Sequence, residues 1–382
     1  MKNQLKHLVF ATVVATGMQG VAFADVNIGV VVSATGPGAT IGADVVRTAE
    51  LFKSLNPQVG GQKLNIYILD DASDVTTGVK NTKKLIAEQS IDAFVGSNTT
   101  GPATGMAQVA TEDKVTMFAI APINLATIKS PWVFRASQAP IFFVERIIAD
   151  MSKNGVTNTS FIGFADGWGD LLYNGLKEEA PKAGIKILAE ERFKRPDTTV
   201  TAQMLRVLAP HPESVFIGAA GTPAILPQTV LNQQGYKGRI YQNAVASKEF
   251  IRVGGQEVEG ALVPVGTIMV NEQLPDTNPS KLKGKKFLEA YEGKYGPGSR
   301  SMFAGYAWDA FSMLRNAAQA ALKAGAKPGT AEFRKALRDA VETGNYVGAT
   351  GKYAFTAANH GGLTADSLVM VKLESGQWKL VK

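Results

Sequence analysis

The sequence predicts an α/β protein of two lobes, each a mostly parallel sheet covered by helices, with three chain crossings between them forming a hinge. Three observations carry this expectation. Strand-like and helix-like stretches alternate from residue 26 onward, the same alternation restarts after Gly155, and the last third supplies helices first and short strands last. With 382 residues, 45% hydrophobic and 19% charged, the chain can bury two cores.

Residues 1–24 stand apart from this pattern. Lys2 and Lys6 precede an apolar run at 8–14, and Ala22-Phe-Ala24 supplies the small residues of a cleavage site, so a cleaved signal peptide and a periplasmic product are expected. No other run approaches the ~18 apolar residues of a membrane-spanning helix. In the first set, strands at 27–32, 64–69, 91–96 and 115–120 alternate with helices at 43–55, 74–89 and 103–114, followed by a short extended piece at 132–135 and a helix at 140–153. Asp74 is expected to cap the second of these helices. In the second set, strands at 160–165, 186–190, 214–219, 239–242 and 260–265 alternate with helices at 169–182, 199–208, 224–234 and 248–253. Helices at 286–295, 304–324 and 330–342 come next, then glycine-rich chain at 344–351, an extended piece at 353–355 and a hairpin-like pair at 367–373 and 378–380. Helices alone cannot bury their apolar faces. Residues 25–138 with 272–345 are therefore assigned to lobe one, and 139–271 with 346–382 to lobe two. The chain then crosses near 136–140, 266–271 and 347–357, a hinge suited to closing on a ligand.

The candidates for catalysis are thin. Cysteine is absent, which excludes disulfides, thiolate metal sites and cysteine nucleophiles. Of three histidines, His7 lies in the leader, and His211 and His360 share no ligand spacing. No catalytic residue, metal or cofactor is expected. Loss of Lys2 and Lys6 takes the net charge from +7 to +5, with lysines scattered along helices, so a nucleic-acid partner is not expected and a monomer is.

Parallel sheets receive ligands at the carboxyl ends of their strands. At one such end, Ser97, Asn98, Thr99 and Thr100 deliver the chain into a helix, whose first turn leaves N–H groups free for a carboxylate. The alternative is that Thr99 or Thr100 merely caps its own helix. The loop at 33–42 has Gly36, Gly38 and Gly42, one residue too widely spaced for a dinucleotide fingerprint, and is read as a second ligand-facing wall with Ser33 and Thr35 as donors. Asn243, closing the strand at 239–242, faces the same cleft, whereas Asp70-Asp71 reads as turn chemistry.

The opening Asn27-Ile-Gly-Val-Val-Val-Ser-Ala-Thr-Gly-Pro, the Val95-Gly-Ser-Asn-Thr-Thr loop, Phe164-Ala-Asp-Gly-Trp-Gly, the Thr201-Ala-Gln run and Phe303-Ala-Gly-Tyr-Ala-Trp-Asp together resemble the leucine/isoleucine/valine-binding group of periplasmic solute-binding proteins that serve ABC importers. The resemblance covers essentially the whole mature chain. It implies the type I periplasmic binding fold of two Rossmann-like lobes, a ligand trapped between them, no enzymatic activity, and delivery to an inner-membrane ABC permease. It also implies that Ser97 to Thr100, with Ala121, Pro122 and Ile123, hold an amino acid's carboxylate, and that Trp168 and an acid after the 214–219 strand meet its ammonium group. This chain departs there. Residues 219–226, with Gly221 and Thr222 facing the ligand, contain no carboxylate, and Ile123 stands where a hydroxyl is expected. A carboxylate-bearing aromatic or branched acid without an amine, against a wall of Ile123, Trp168 and Phe303, is the expected ligand. One alternative is a branched-chain amino acid whose ammonium group is reached by Asp166 or Glu249. Another is a ligand-sensing subunit for a signalling receptor.

Overall fold

The strand Val26–Val32 (β1) is buried at every position but Asn27, because strands flank it on both edges and helices cover both faces. The computed structural model describes residues 24–381, so the expected leader before Ala24 lies outside the described residues. Alongside β1 run Gln62–Asp70 (β3) and Ala93–Gly96 (β4), both parallel to it, and beyond β4 come Thr116–Ala119 (β5) and Val133–Arg135 (β6). The far edge is a two-residue antiparallel strand, Gln58–Val59 (β2), turned back by Gly60 and Gly61, too short to show any periodicity in the sequence. Helices α1 (Ala39–Leu55), α2 (Val75–Gln89), α3 (Thr100–Glu112) and the single turn α4 (Leu125–Ile128) connect these strands. Asp74 caps α2 as expected, its carboxylate accepting from the Thr77 N–H at 2.7 Å.

A second sheet repeats the arrangement. Its parallel strands are Asn158–Phe164 (β7), Lys186–Phe193 (β8), Ser214–Gly218 (β9), Arg239–Tyr241 (β10) and Leu262–Gly266 (β11), in the order β11-β10-β9-β7-β8. Helices α5 (Pro140–Lys153), α6 (Gly167–Lys182), α7 (Thr201–Leu208), α8 (Ile225–Gln233) and α9 (Lys248–Gly254) accompany it. Edge strand β8 runs three residues past the expected 190 because its polar end pairs within the protein, Arg192 to Glu190 at 2.7 Å and Arg206 to Glu191 at 2.6 Å.

The last third returns to both sheets. Helices α10 (Lys281–Tyr295), α11 (Met302–Lys323) and α12 (Ala331–Glu342) pack on the first lobe, where Phe52 of α1 meets Phe311 and Trp308 of α11 at ring separations of 5.3 Å. Trp308 is thus partly buried against the core. Between α12 and the end lie Asn345–Val347 (β12) and Lys352–Ala354 (β13), a two-stranded ladder of which the sequence suggests only the second half. The strands Leu368–Glu374 (β14) and Gln377–Leu380 (β15) then form the expected hairpin and add antiparallel to β11.

The three segments expected to cross between the lobes are tied together by buried hydrogen bonds. Asp309 of α11 accepts from the Ala349 and Thr350 N–H groups at 2.7 and 2.9 Å and from the Thr350 hydroxyl at 2.6 Å. The Tyr353 hydroxyl donates to the Ala136 carbonyl at 2.7 Å, and the Thr267 hydroxyl to the Thr350 carbonyl at 3.3 Å. Tyr306 also bonds Gln138, whose amide reaches Ser367 at 3.0 Å. Burial pushes the Asp309 carboxyl up to about 6, against the lowering effect of those donors.

Candidate ligand-binding site

At the carboxyl ends of β1, β3 and β4 the expected hydroxyl residues converge on one carboxylate. Asp71 is completely buried and accepts from the Ser33 hydroxyl at 2.6 Å, the Ser97 hydroxyl at 2.7 Å and the Ser73 N–H at 2.8 Å. Thr99 Oγ1 lies 2.8 Å from Ser33 Oγ, and since Ser33 gives its proton to Asp71, Thr99 is the donor to Ser33. The three hydroxyl protons therefore run inward to Asp71. Burial raises the Asp71 carboxyl, with Ser33 and Ser97 pulling the other way. Asn98 braces the same corner, accepting from the Ser33 N–H at 2.8 Å and donating to the Gly38 carbonyl at 3.2 Å.

These bonds correct three expectations. Ser33 and Thr35, read as donors toward a ligand, donate to Asp71 and Asp70 instead, with the exposed Thr35 hydroxyl 2.5 Å from Asp70. Asp70 does act as turn chemistry, accepting from the Ala34 and Ala72 N–H groups at 2.9 and 2.8 Å, and Asp71 does so as well through the Ser73 and Asp74 N–H groups, but its carboxylate is also the organiser of the hydroxyl cluster. The capping alternative fails as well. Thr99 occupies the N-cap of α3 and its side chain makes no capping bond, so the first turn keeps N–H groups that no side chain satisfies.

The glycines at 36, 38 and 42 explain why α1 can sit so close. A Cβ on Gly42 would come 1.9 Å from the Ser33 carbonyl oxygen, and one on Gly38 would come 2.6 Å from Thr99 Cγ2. Gly42→Ala is expected to push α1 away from Ser33, lowering the melting temperature by several degrees and weakening ligand binding at least tenfold, as read by calorimetry.

The loop after β5 lies beside this cluster. Ala121 N–H donates to the Ser97 carbonyl at 2.8 Å, and Pro122 and Ile123 are buried beyond it. Across the cleft stands the start of α6, where a Cβ on Gly167 would lie 3.5 Å from Thr100 Cγ2 of α3. Trp168 follows, 3% exposed, its ring edge-on to Phe143 and its indole N–H 3.5 Å from the Ala219 carbonyl. Gly221, in the left-handed region at φ 64°, faces Thr40 and Ile41 of α1, and Thr222 opens the next turn. Phe303 packs edge-on to Tyr306 and lines a narrow slot between the lobes, together with Ile41, Asp44, Gly221 and Ala246. Asn243, at the carboxyl end of β10, is wholly buried, and neither atom of its amide has a hydrogen-bond partner in the protein.

Two acids considered for an ammonium group are occupied. Asp166 caps α6 through the Trp168 N–H at 2.9 Å and pairs with Arg195 at 2.6 Å, and Glu249 is gripped twice by Arg252. The sequence reading missed Asp44, a buried carboxyl in the slot wall that burial raises to about 6. Ser301, with Arg47 at 3.6 Å and Tyr291 at 3.5 Å, pulls the other way. Only the spacing of Asp44 on the buried stripe of α1 signals it. No group of acidic or histidine side chains suited to a metal occurs among the described residues, and none of their helices is long and apolar enough to cross a membrane.

A family model for periplasmic binding proteins matches residues 25–377. The chain belongs to that family. This periplasmic binding protein is 24% identical over 98% of its length to a Leu/Ile/Val-binding protein homolog of Brucella melitensis, covering 97% of that relative. Among solved structures it resembles an extracellular ligand-binding receptor from Rhodopseudomonas palustris HaA2, with 37% identity, a TM-score of 0.90, and coverage of 94% of this chain and 100% of that one. It shares its fold with an R. palustris ABC transporter solute-binding protein in complex with benzoate, at 19% identity and a TM-score of 0.79, over 94% of this chain and 96% of the other. The family is one of solute-binding proteins, not enzymes, and the type I architecture of two lobes is the expected one.

Proposed function

We propose that this periplasmic binding protein closes on a small carboxylate-bearing solute without an amine, aromatic or branched, and hands it to an inner-membrane ABC permease of the branched-chain amino-acid type. The observation that carries the reading is the first turn of α3. It has no side-chain cap, it faces the second lobe at Gly167, and the neighbouring hydroxyl protons are turned inward. Backbone N–H groups and the positive end of a 13-residue helix then hold an anion without a counter-ion. Ile123, Trp168 and Phe303 offer the apolar part of the ligand its surface, and the unpaired Asn243 amide offers one polar contact. No acid follows β9, and Asp166 and Glu249 are paired, so an ammonium group there meets no free charge. The benzoate complex of the R. palustris relative agrees with this ligand class.

Asp44 favours a second reading, a branched-chain amino acid whose ammonium group it meets, in keeping with the naming of the Brucella relatives. A thermal-shift screen of refolded residues 25–382 separates the two, because ligand binding to the native state raises the melting temperature. Benzoate or a branched keto acid should stabilise the protein by several degrees while leucine does nothing. Stabilisation by leucine that disappears in Asp44→Asn establishes the second reading and overturns the first.

A further inference from the structure

We propose that a cavity beside the first crossing, at the end of β6, is a second binding site that takes a small oxyanion, a carboxylate or a phosphate. The cavity measures about 560 Å³ and is walled by the loop after β5, the end of β6 and residues 357–360, sharing no lining residue with the slot between the lobes. Its polar lining is Asn124, Lys129, Ser130, Arg135, Asn359 and His360, without a single carboxylate.

Arg135 gives the cavity its chemistry. It is 7% exposed, and among the described residues no other arginine or lysine is buried. Nη1 donates to the Ile123 carbonyl at 2.9 Å and Nε to the Ser137 carbonyl at 3.1 Å, whereas among the described residues Nη2 has no hydrogen-bond partner and Arg135 no carboxylate in an ion pair. Two half-buried arginines elsewhere are held by acids, Arg300 by Glu272 and Glu292, and Arg195 by Asp166. The acid facing His360, Glu342, is engaged by the His360 ring at 3.0 Å and by Arg338 at 3.1 Å. Desolvation alone acts on the guanidinium, pulling it down to about 10, so it remains charged at neutral pH. A buried cation held only by carbonyl dipoles lacks the counter-charge that ordinarily accompanies it. Lys129 on the rim adds a second positive charge, and Leu125, Pro131 and Val133 leave an apolar wall for a short organic tail.

The cavity also touches the hinge. The Arg135 N–H donates to the His360 carbonyl at 3.0 Å, and Nε reaches Ser137 in the first crossing. An anion on Nη2 therefore stiffens the contact between the first and third crossings.

The test is calorimetry of the full mature chain in sodium phosphate and, separately, sodium acetate, each against chloride at equal ionic strength. Wild type should show a saturable rise in melting temperature of several degrees. Lys129→Gln should need roughly tenfold more anion for the same rise, in keeping with the loss of one charge contact of about 1.4 kcal/mol, and Arg135→Gln should not respond. Ala358→Glu places a tethered carboxylate in the cavity without removing any buried group, so it should melt higher than wild type in chloride and lose the anion response. It decides the matter if Arg135→Gln does not fold. A rise with acetate alone assigns an organic acid, and with phosphate alone a phosphate. No saturable rise in wild type, an equal rise in Arg135→Gln, or an undiminished response in Ala358→Glu overturns the proposal.

Discussion

Asp71→Ala is expected to weaken ligand binding a hundredfold or more and to cost about 3 kcal/mol of unfolding free energy. The carboxylate takes protons from Ser33 and Ser97 and an N–H from Ser73, all within 2.8 Å. Its removal leaves two buried hydroxyls without an acceptor, at about 1–3 kcal/mol each, partly relieved by rotation. Binding suffers more than stability. With Asp71 gone the Ser33 hydroxyl can donate to Thr99 instead of accepting from it, which frees the Thr99 side chain to rotate toward its own helix and cap the N–H groups of α3 that are proposed to hold the ligand. Asp70→Ala serves as the control, because Asp70 holds only the turn and Thr35. Titration calorimetry with the acid found in the thermal screen, beside urea unfolding, reads both quantities. An Asp71→Ala protein that binds as tightly as wild type would remove Asp71 from the site.

Asp309→Ala is expected to have the largest effect on stability, about 3–5 kcal/mol, since it strands two N–H groups and a hydroxyl in the buried junction of the crossings. The same residue gives a pH dependence whose sign is fixed. Its folded value near 6 lies above the ordinary 3.8, so its contribution to stability is fully present below about 3.8 and is lost as pH rises through about 6. Asp44 and Asp92, both raised by burial to about 6, act in the same sense. Unfolding free energy should therefore fall between pH 4 and 7, by up to about 3 kcal/mol for each group. Asp309→Asn should show a shallower fall over that interval, measured by urea unfolding at each pH. A slope identical to wild type would mean that Asp309 does not titrate there.

Much of this was readable in the residues, for a physical reason. The strand and helix alternation comes from burial on both sheet faces, and it located nearly every regular element, including the closing hairpin and the Asp74 cap. The elements it missed, β2, β12 and the single turn α4, are two to four residues long and carry no period. At the site, the hydroxyl loop was legible as a loop but its proton directions were not. Asp70 and Asp71 are adjacent and chemically identical in sequence, and only the packing of Ser33 and Ser97 over one of them decides which is buried. Arg135 and Asp44 were invisible for a related reason, since a charged residue beside apolar neighbours looks the same whether it snorkels to water or is sealed in.

The return of the last third to both sheets also governs how the molecule comes into being. A chain that emerges from its amino end has made all five parallel strands of the second sheet before α11 exists to cover Phe52, and β11 waits for β14, about a hundred residues later in the chain, to cover its edge. The second sheet cannot finish while the last forty residues are still to come. Such long-range closure slows folding, and a polypeptide built this way stays open to handling by cellular machinery until its final strand is released.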